Sequence, residues 1–141
     1  MKMKLLLHTC CAPCSVYCIK SLRQEEIEPT VYWFNPNIHP YMEYKARRDT
    51  LKEYTQSIGA DAIFEENYGL KEFCKNVIDD LENRCAKYCY RVRLEQTAQY
   101  AKQHRIWCIY NNFISKSISK LWIINTSCRR NGWKIWSKIL I

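Results

Sequence analysis

Residues 4–14 read KLLLHTCCAPC and contain an apolar run, a turn and the start of a helix. Three consecutive leucines, Leu5 to Leu7, suit a short strand that is buried on both faces of a sheet. Pro13 follows where the first turn of a helix tolerates proline, because the N–H that proline lacks would have no partner there. The segment therefore predicts a strand that ends near His8 and passes directly into a helix.

The next ninety residues continue this alternation of strand and helix. Residues 30–34 (TVYWF) are β-branched and aromatic, as in a strand, and residues 60–64 predict a weaker third strand. Apolar residues recur at spacings of three and four over 70–81, which is typical of an amphipathic helix. A last helix is predicted over 85–104. The order β-α-β-α-β-α-α predicts an α/β fold with a parallel sheet and right-handed crossovers.

The most unusual segments follow the first two predicted strands. In parallel α/β sheets, ligands bind beyond the carboxyl ends of the strands. The turn at residues 8–14 and the loop at residues 35–40 should therefore face each other at one edge. His8 and His39 lie in or beside these segments, and an imidazole can donate a proton near neutral pH. Both histidines are therefore candidate proton donors, although a lone histidine is more often structural.

Five cysteines form two groups with the spacing of metal ligands. Cys10, Cys11 and Cys14 lie at the start of a helix, where partial positive charge and free N–H groups favour thiolates. Cys85 and Cys89 are four residues apart, so both lie on one face of a helix. Four converging thiolates suit an iron–sulfur cluster or structural zinc. Adjacent cysteines are unlike the usual zinc spacing, which favours an iron–sulfur cluster. Cys14 is then the spare thiolate and a candidate catalytic residue, as a ligand of a second metal ion.

Composition excludes several classes of protein. With 141 residues, 48% of them hydrophobic, 3 Gly and 4 Pro, the chain is neither collagen-like nor of low complexity. No apolar run is long enough for a membrane span, and the apolar stretch at the start is shorter than a signal peptide requires. We therefore expect a cytoplasmic protein with no membrane partner.

Nine thiols in a reducing compartment indicate metal or redox chemistry. Cys18 and Cys74 lie near apolar helix stripes and are instead expected in the core.

Three motifs together resemble the epoxyqueuosine reductases of the QueH type. They are LLLHTCCAPCS, YWFNPNIHPYMEY with the basic KARR after it, and RCAKYCYRVRLEQTAQYAK, and the resemblance covers residues 1–104. It implies a nucleotide α-hydrolase-like (HUP-like) Rossmann-type fold. It also implies a [4Fe–4S] cluster with Cys10, Cys11, Cys85 and Cys89 as ligands. The implied reaction reduces epoxyqueuosine to queuosine in tRNA, with electrons from an unidentified donor.

The sequence departs from the family pattern at the second cysteine pair. The family has CxxC, whereas residues 85–89 read CAKYC. One additional residue turns a helical side chain by about 100°. Cys85 and Cys89 still share a face, but the register of Cys89 differs from that of the family.

The composition changes sharply after residue 104. Residues 105–141 contain seven of the basic residues, no acidic residue and four of the five tryptophans. Back-translation with AT-rich codons and a shift of one nucleotide gives a segment that resembles the family's continuation. We therefore divide the chain into residues 1–104, the N-terminal part of a HUP-like iron–sulfur reductase domain, and residues 105–141, an out-of-frame tail without its own fold. This truncated chain is expected to be inactive.

Two alternatives stay open at this point. One is a non-enzymatic zinc-binding or redox-sensing module built on the same thiolates. The other is an ATP-using HUP-type tRNA-modifying enzyme, which would need a glycine-rich phosphate loop that the CCAPCS turn lacks. Contacts with tRNA are also open: basic side chains could bind phosphates and aromatic side chains could stack on bases. The candidates are Arg47, Arg48, Arg91, Arg93, Tyr32, Trp33 and Tyr41.

Overall fold

The structure, a computed structural model, describes residues 4–106, 108–111 and 120–123. Strands and helices alternate through most of this part of the chain. In order they are β1 (Leu5–His8), α1 (Ala12–Gln24), β2 (Pro29–Trp33), α2 (Tyr41–Ser57), β3 (Ala62–Phe64), α3 (Leu70–Val77), a π turn (Cys85–Cys89), α4 (Tyr90–Gln103), β4 (Cys108–Asn111) and β5 (Lys120–Ile123).

One sheet contains the five strands, in the order β3-β2-β1-β4-β5. The first four strands are parallel, and β5 pairs antiparallel with β4. β1 lies in the middle, where Leu6 pairs with Thr30 of β2 on one side and with Ile109 of β4 on the other. The predicted α/β fold with a parallel, Rossmann-like sheet is confirmed.

The pleat of β1 divides the core into two layers. Leu5 and Leu7 pack with residues of α1 and α2, such as Ile19 and Leu51. Leu6 packs on the opposite face in a cluster that contains Ala98 and Ala101 of α4. Because side chains alternate along a strand, His8 follows Leu6 onto the α4 face. This alternation places the histidine beside the helix that follows the second cysteine pair.

Helix α3 is shorter than the sequence pattern predicts. It ends at Val77 instead of continuing to residue 81, and Ile78 and Leu81 are 69% and 56% exposed. The prediction that Cys74 belongs to the core is wrong, because this thiol is exposed on α3, whereas Cys18 is buried as predicted. The apolar repeat therefore continues beyond the residues that neighbouring elements bury.

Two of the strands lie in the segment after residue 104. β4 and β5 extend the sheet of the preceding residues. Residues 107, 112–119 and 124–141 lie outside the described part of the chain. The expectation that residues 105–141 are out of frame therefore stays a prediction. Over the described residues, no helix is both long and apolar enough to cross a membrane.

We expect Leu7→Ala to lower the free energy of unfolding by about 2–5 kcal/mol. Leu7 is 0% exposed in the central strand, so truncation removes buried apolar surface and leaves a cavity. Urea denaturation measures the change. Leu81→Ala is the matched control, because the same truncation at a 56% exposed side chain should change stability by less than about 0.5 kcal/mol. Equal losses in the two variants would contradict the placement of Leu7.

Candidate metal centre at the carboxyl edge of the sheet

Three thiols gather where β1 ends and α1 begins. The sulfur atoms of Cys10, Cys11 and Cys14 all lie within 4.8 Å of one another. The Cys10 thiol donates a hydrogen bond to Cys11 Sγ at 3.7 Å. Cys10 and Cys11 are half-buried and Cys14 is exposed. The structure thus brings Cys14 to the vicinal pair, and thiolates at these spacings can hold a metal ion.

Polar contacts from β2 and the loop after it hold this turn in place. Trp33 Nε1 donates to the carbonyl oxygen of Cys10 at 3.4 Å, and Asn35 Nδ2 donates to that of Thr9 at 3.0 Å. Thr9 Oγ1 donates to the carbonyl oxygen of Cys11 at 3.1 Å. The prediction that the loops after the first two strands adjoin is confirmed. The role of Asn35 is not predictable from the sequence, where its only signal is its position directly after a strand.

Hydrogen bonding separates the acidities of the adjacent thiols. The Cys10 donor lowers the pKa of Cys11 to about 5, and the charge of Arg47 acts in the same direction. The same hydrogen bond, together with burial, raises the pKa of Cys10. One of the two sulfurs is therefore a thiolate at neutral pH, which is the form that binds metal.

The second cysteine pair lies in a π turn that leads into α4. The N–H of Tyr90 donates to the carbonyl oxygen of Cys85, five residues earlier, which is the hydrogen bond of a π-helix. A π turn accommodates one more residue than an α turn, so Cys85 and Cys89 lie within a single widened turn. Cys89 is buried and Cys85 is exposed. Burial, and then the charge of Cys85, raise the pKa of Cys89.

Arg93 interacts with thiols from both groups of cysteines. It is one turn after Cys89, is 6% exposed, and donates from Nε to the carbonyl oxygen of Cys89 at 2.8 Å. Burial lowers the pKa of Arg93, whereas the charges of Cys10, Cys89 and Cys85 raise it. One guanidinium is therefore in electrostatic contact with thiols from both the β1–α1 turn and the π turn.

Comparison with known proteins identifies the family. A family model described as epoxyqueuosine reductase QueH matches residues 5–132. The chain belongs to the QueH family. The match extends past the cysteine pairs into the segment after residue 104.

Named QueH proteins from several bacteria are similar to this chain. It is 41% identical over 104 residues to the epoxyqueuosine reductase QueH of Dehalococcoides mccartyi, across 74% of this chain and 57% of that protein. It is 36% identical over 106 residues to that of Haemophilus influenzae, across 72% of this chain and 42% of that protein. The identity with that of Staphylococcus aureus is 34% over 113 residues, with coverage of 72% and 46%. The chain spans about half the length of the curated relatives it matches.

Both candidate histidines have contacts that favour a structural role. His8 is 0% exposed, and its Nε2–H donates to the carbonyl oxygen of Phe34 at 2.9 Å. Burial, and then the charge of Arg93, lower the pKa of His8 to about 3. The ring of His39 packs against Tyr68 and Phe73, with centroids 4.8 and 4.5 Å away, and burial lowers its pKa. At neutral pH His8 is therefore an uncharged part of the core.

Burial excludes some of the proposed tRNA contacts. The interpretation of Arg93 as a phosphate ligand is wrong, because its side chain is buried among thiols. Tyr32 and Trp33 are both 0% exposed, so neither offers a face to a base. Arg91 is 63% exposed and Tyr41 46% exposed, so these two side chains are accessible to a large partner.

We expect acid to destabilise the protein through His8 between pH 6.5 and 3. The pKa of about 3 in the folded state is below the unfolded value, so the unfolded state binds more protons in this window. The contribution of His8 to stability is present above pH 6.5. Lowering the pH from 7 to 5 should therefore reduce the free energy of unfolding by about 2 kcal/mol through this residue. Urea denaturation of metal-free protein at both values measures the loss.

The control for this prediction is a second histidine, His104, which directly follows α4. His8→Gln should reduce the pH dependence by about that amount, whereas His104→Gln, which leaves His8 in place, should retain the His8 contribution. If His8→Gln retained the full difference between pH 7 and pH 5, the neutral, buried state of His8 would be incorrect.

Proposed function

We propose that this chain contains the cluster-binding part of an epoxyqueuosine reductase, which reduces epoxyqueuosine to queuosine in tRNA. The observation that carries the proposal is the position of Arg93, whose guanidinium is in electrostatic contact with Cys10, Cys85 and Cys89. Thiols far apart in the sequence thus act electrostatically on the same buried guanidinium. Family membership supports the reaction, since the relatives are named epoxyqueuosine reductases.

The donor set fits an iron–sulfur cluster. Cys10, Cys11, Cys85 and Cys89 would hold a [4Fe–4S] cluster, and Cys14 would hold a second metal ion beside it. Four thiolates are the usual ligands of such a cluster. The pKa of about 5 at Cys11 and the buried guanidinium both favour anionic sulfur at this edge. These features support an iron–sulfur centre over a site for ATP, since no glycine lies in the turn after β1.

The reaction sets the requirements on the site. Converting an epoxide to an alkene consumes two electrons and two protons and releases one water molecule. When bound, the cluster supplies electrons one at a time from an external low-potential carrier. The residues of the chain must hold it near the base and deliver the protons. His39 stays a candidate proton donor, whereas the contacts of His8 favour orientation of the turn.

We also propose the division of the chain at residue 104. Residues 1–104 would be the N-terminal part of the reductase domain, and residues 105–141 an out-of-frame tail. The named relatives match 72–74% of the chain, whereas the family model extends to residue 132, so the change in composition after residue 104 is what supports this division. The cytoplasm, where tRNA is modified, is the expected location.

Reconstitution with iron and sulfide under anaerobic conditions tests the cluster. We expect brown protein with about four iron atoms per chain, because the four thiolates match this cluster type. Cys11→Ser and Cys85→Ser should each lose most of the iron. Cys74→Ser is the matched control, since this exposed thiol on α3 lies outside the ligand set. Colourless protein that binds one zinc ion through Cys10, Cys11 and Cys14 would instead support the zinc-binding alternative.

Queuosine formation on tRNA tests the activity and the reading frame together. We expect the chain encoded after deletion of one nucleotide near codon 104 to form queuosine, and the 141-residue chain to form at least tenfold less. The physical reason is that a modified base in tRNA needs a formed binding pocket as well as a cluster, and the 141-residue chain spans only about half the length of its relatives. Mass spectrometry of tRNA nucleosides provides the measurement. Equal turnover by the two chains would contradict the division at residue 104.

A further inference from the structure

Arg93 is a buried cation in the interior of the domain. Its side chain is 6% exposed, Nε donates to the carbonyl oxygen of Cys89 at 2.8 Å, and the guanidinium carbon lies 5.5 Å from the centroid of the Tyr90 ring. An arginine stays protonated in proteins, so its charge persists in this environment. A buried charge is costly unless negative groups compensate it. The ionisable groups around Arg93 therefore indicate the function of its charge.

The ionisable groups in electrostatic contact with Arg93 include three thiols. Cys10 comes from the turn after β1, and Cys85 and Cys89 come from the π turn. Each becomes an anion on deprotonation, which is also the form that ligates metal. On the sheet side, the charge of Arg93 acts on His8 and helps to keep that imidazole neutral. The guanidinium is therefore within electrostatic reach of thiols from the turn after β1 and from the π turn, and of the neutral imidazole of His8.

We propose that Arg93 is a positioning residue that compensates the negative charge of the cluster and raises its reduction potential. The inference rests on the proposed [4Fe–4S] site but assigns a role to a residue outside the ligand set. Reduction adds one electron, and therefore one negative charge, to a centre that already carries four thiolates. Net charge and hydrogen bonding are among the factors that set the potential of such centres. A fixed positive charge in a site of low dielectric favours the reduced form.

A second cation near the thiols should matter less. Arg47 acts electrostatically on Cys11, but its side chain is 40% exposed and Nε donates to Glu43 Oε1 at 2.6 Å. Solvent and the carboxylate both reduce its effect on the centre. Burial and electrostatic interaction with thiols of both cysteine groups distinguish Arg93 from this neighbour.

The test is the reduction potential of the reconstituted 141-residue chain and three variants. Arg93→Met removes the charge, and Arg93→Lys keeps the charge but lacks the guanidinium Nε. Arg91→Met is the matched control: Arg91 lies on the same helix, is 63% exposed and has Nε 3.9 Å from Glu95 Oε1. Each protein is titrated with dithionite under argon, and visible absorption and electron paramagnetic resonance report the reduced fraction.

We expect Arg93→Met to shift the balance at least tenfold toward the oxidised form, which for a one-electron couple is about 59 mV. Arg93→Lys should recover most of the shift, and Arg91→Met should match the unaltered chain. A potential in Arg93→Met within threefold of the Arg91→Met value would overturn the proposal. Far-ultraviolet circular dichroism and the melting temperature show whether each variant folds.

Loss of iron from the variants also tests whether the charge of Arg93 compensates the cluster. If Arg93→Met folds but retains no iron while Arg93→Lys retains it, charge compensation is supported. If both variants fold and both lose iron, the positive charge is not what the site requires, and the proposal fails. If the unaltered chain takes up no iron, the proposed function and this inference fail together. If the unaltered chain takes up iron but the reduction potential of Arg93→Met equals that of Arg91→Met, the inference alone fails.

Discussion

The central position of β1 is the constraint on which the candidate site depends. β1 pairs in parallel with β2 on one side and with β4 on the other, and all four of its side chains are buried. The chain therefore leaves the sheet at its middle, and the thiols that follow His8 gather at the carboxyl edge. Neighbouring loops can reach this point, as Asn35 does by donating to the carbonyl oxygen of Thr9 at 3.0 Å. A turn after an edge strand would have neighbours on one side only.

Electrostatics at this edge follow from burial and from a few short-range contacts. The Cys10 thiol lowers the pKa of Cys11 to about 5, while the same contact and burial raise the pKa of Cys10. Arg93 adds a buried positive charge beside both cysteine groups, and burial holds the pKa of His8 at about 3. The site therefore combines anionic sulfur, a persistent cation and a neutral imidazole, which is an environment suited to a negatively charged metal centre.

The π turn shows how a helix can take up an additional residue without losing its packing. Cys85 and Cys89 are separated by three residues, and the i to i+5 hydrogen bond at Cys85 widens this single turn. The α-helical pattern resumes at Tyr90, so Arg93, Thr97 and Ala101 are all buried along α4. A regular α-helix through the same residues would rotate this face by about 100° relative to Cys85.

The sequence by itself determined the alternation of strands and helices, the parallel sheet and the grouping of Cys10, Cys11 and Cys14, because these depend on local periodicity and on close spacing along the chain. It did not determine how far α3 extends, since exposed Ile78 and Leu81 continue the apolar repeat beyond the last helical turn. Tertiary structure alone decided the burial of Arg93 and its electrostatic neighbours. From spacing it is one more basic residue on a helix, and only the pleat of β1 and the packing of α4 bring it beside His8 and Cys10. Contacts between residues so far apart in the chain arise from the packing of layers, which no local pattern encodes.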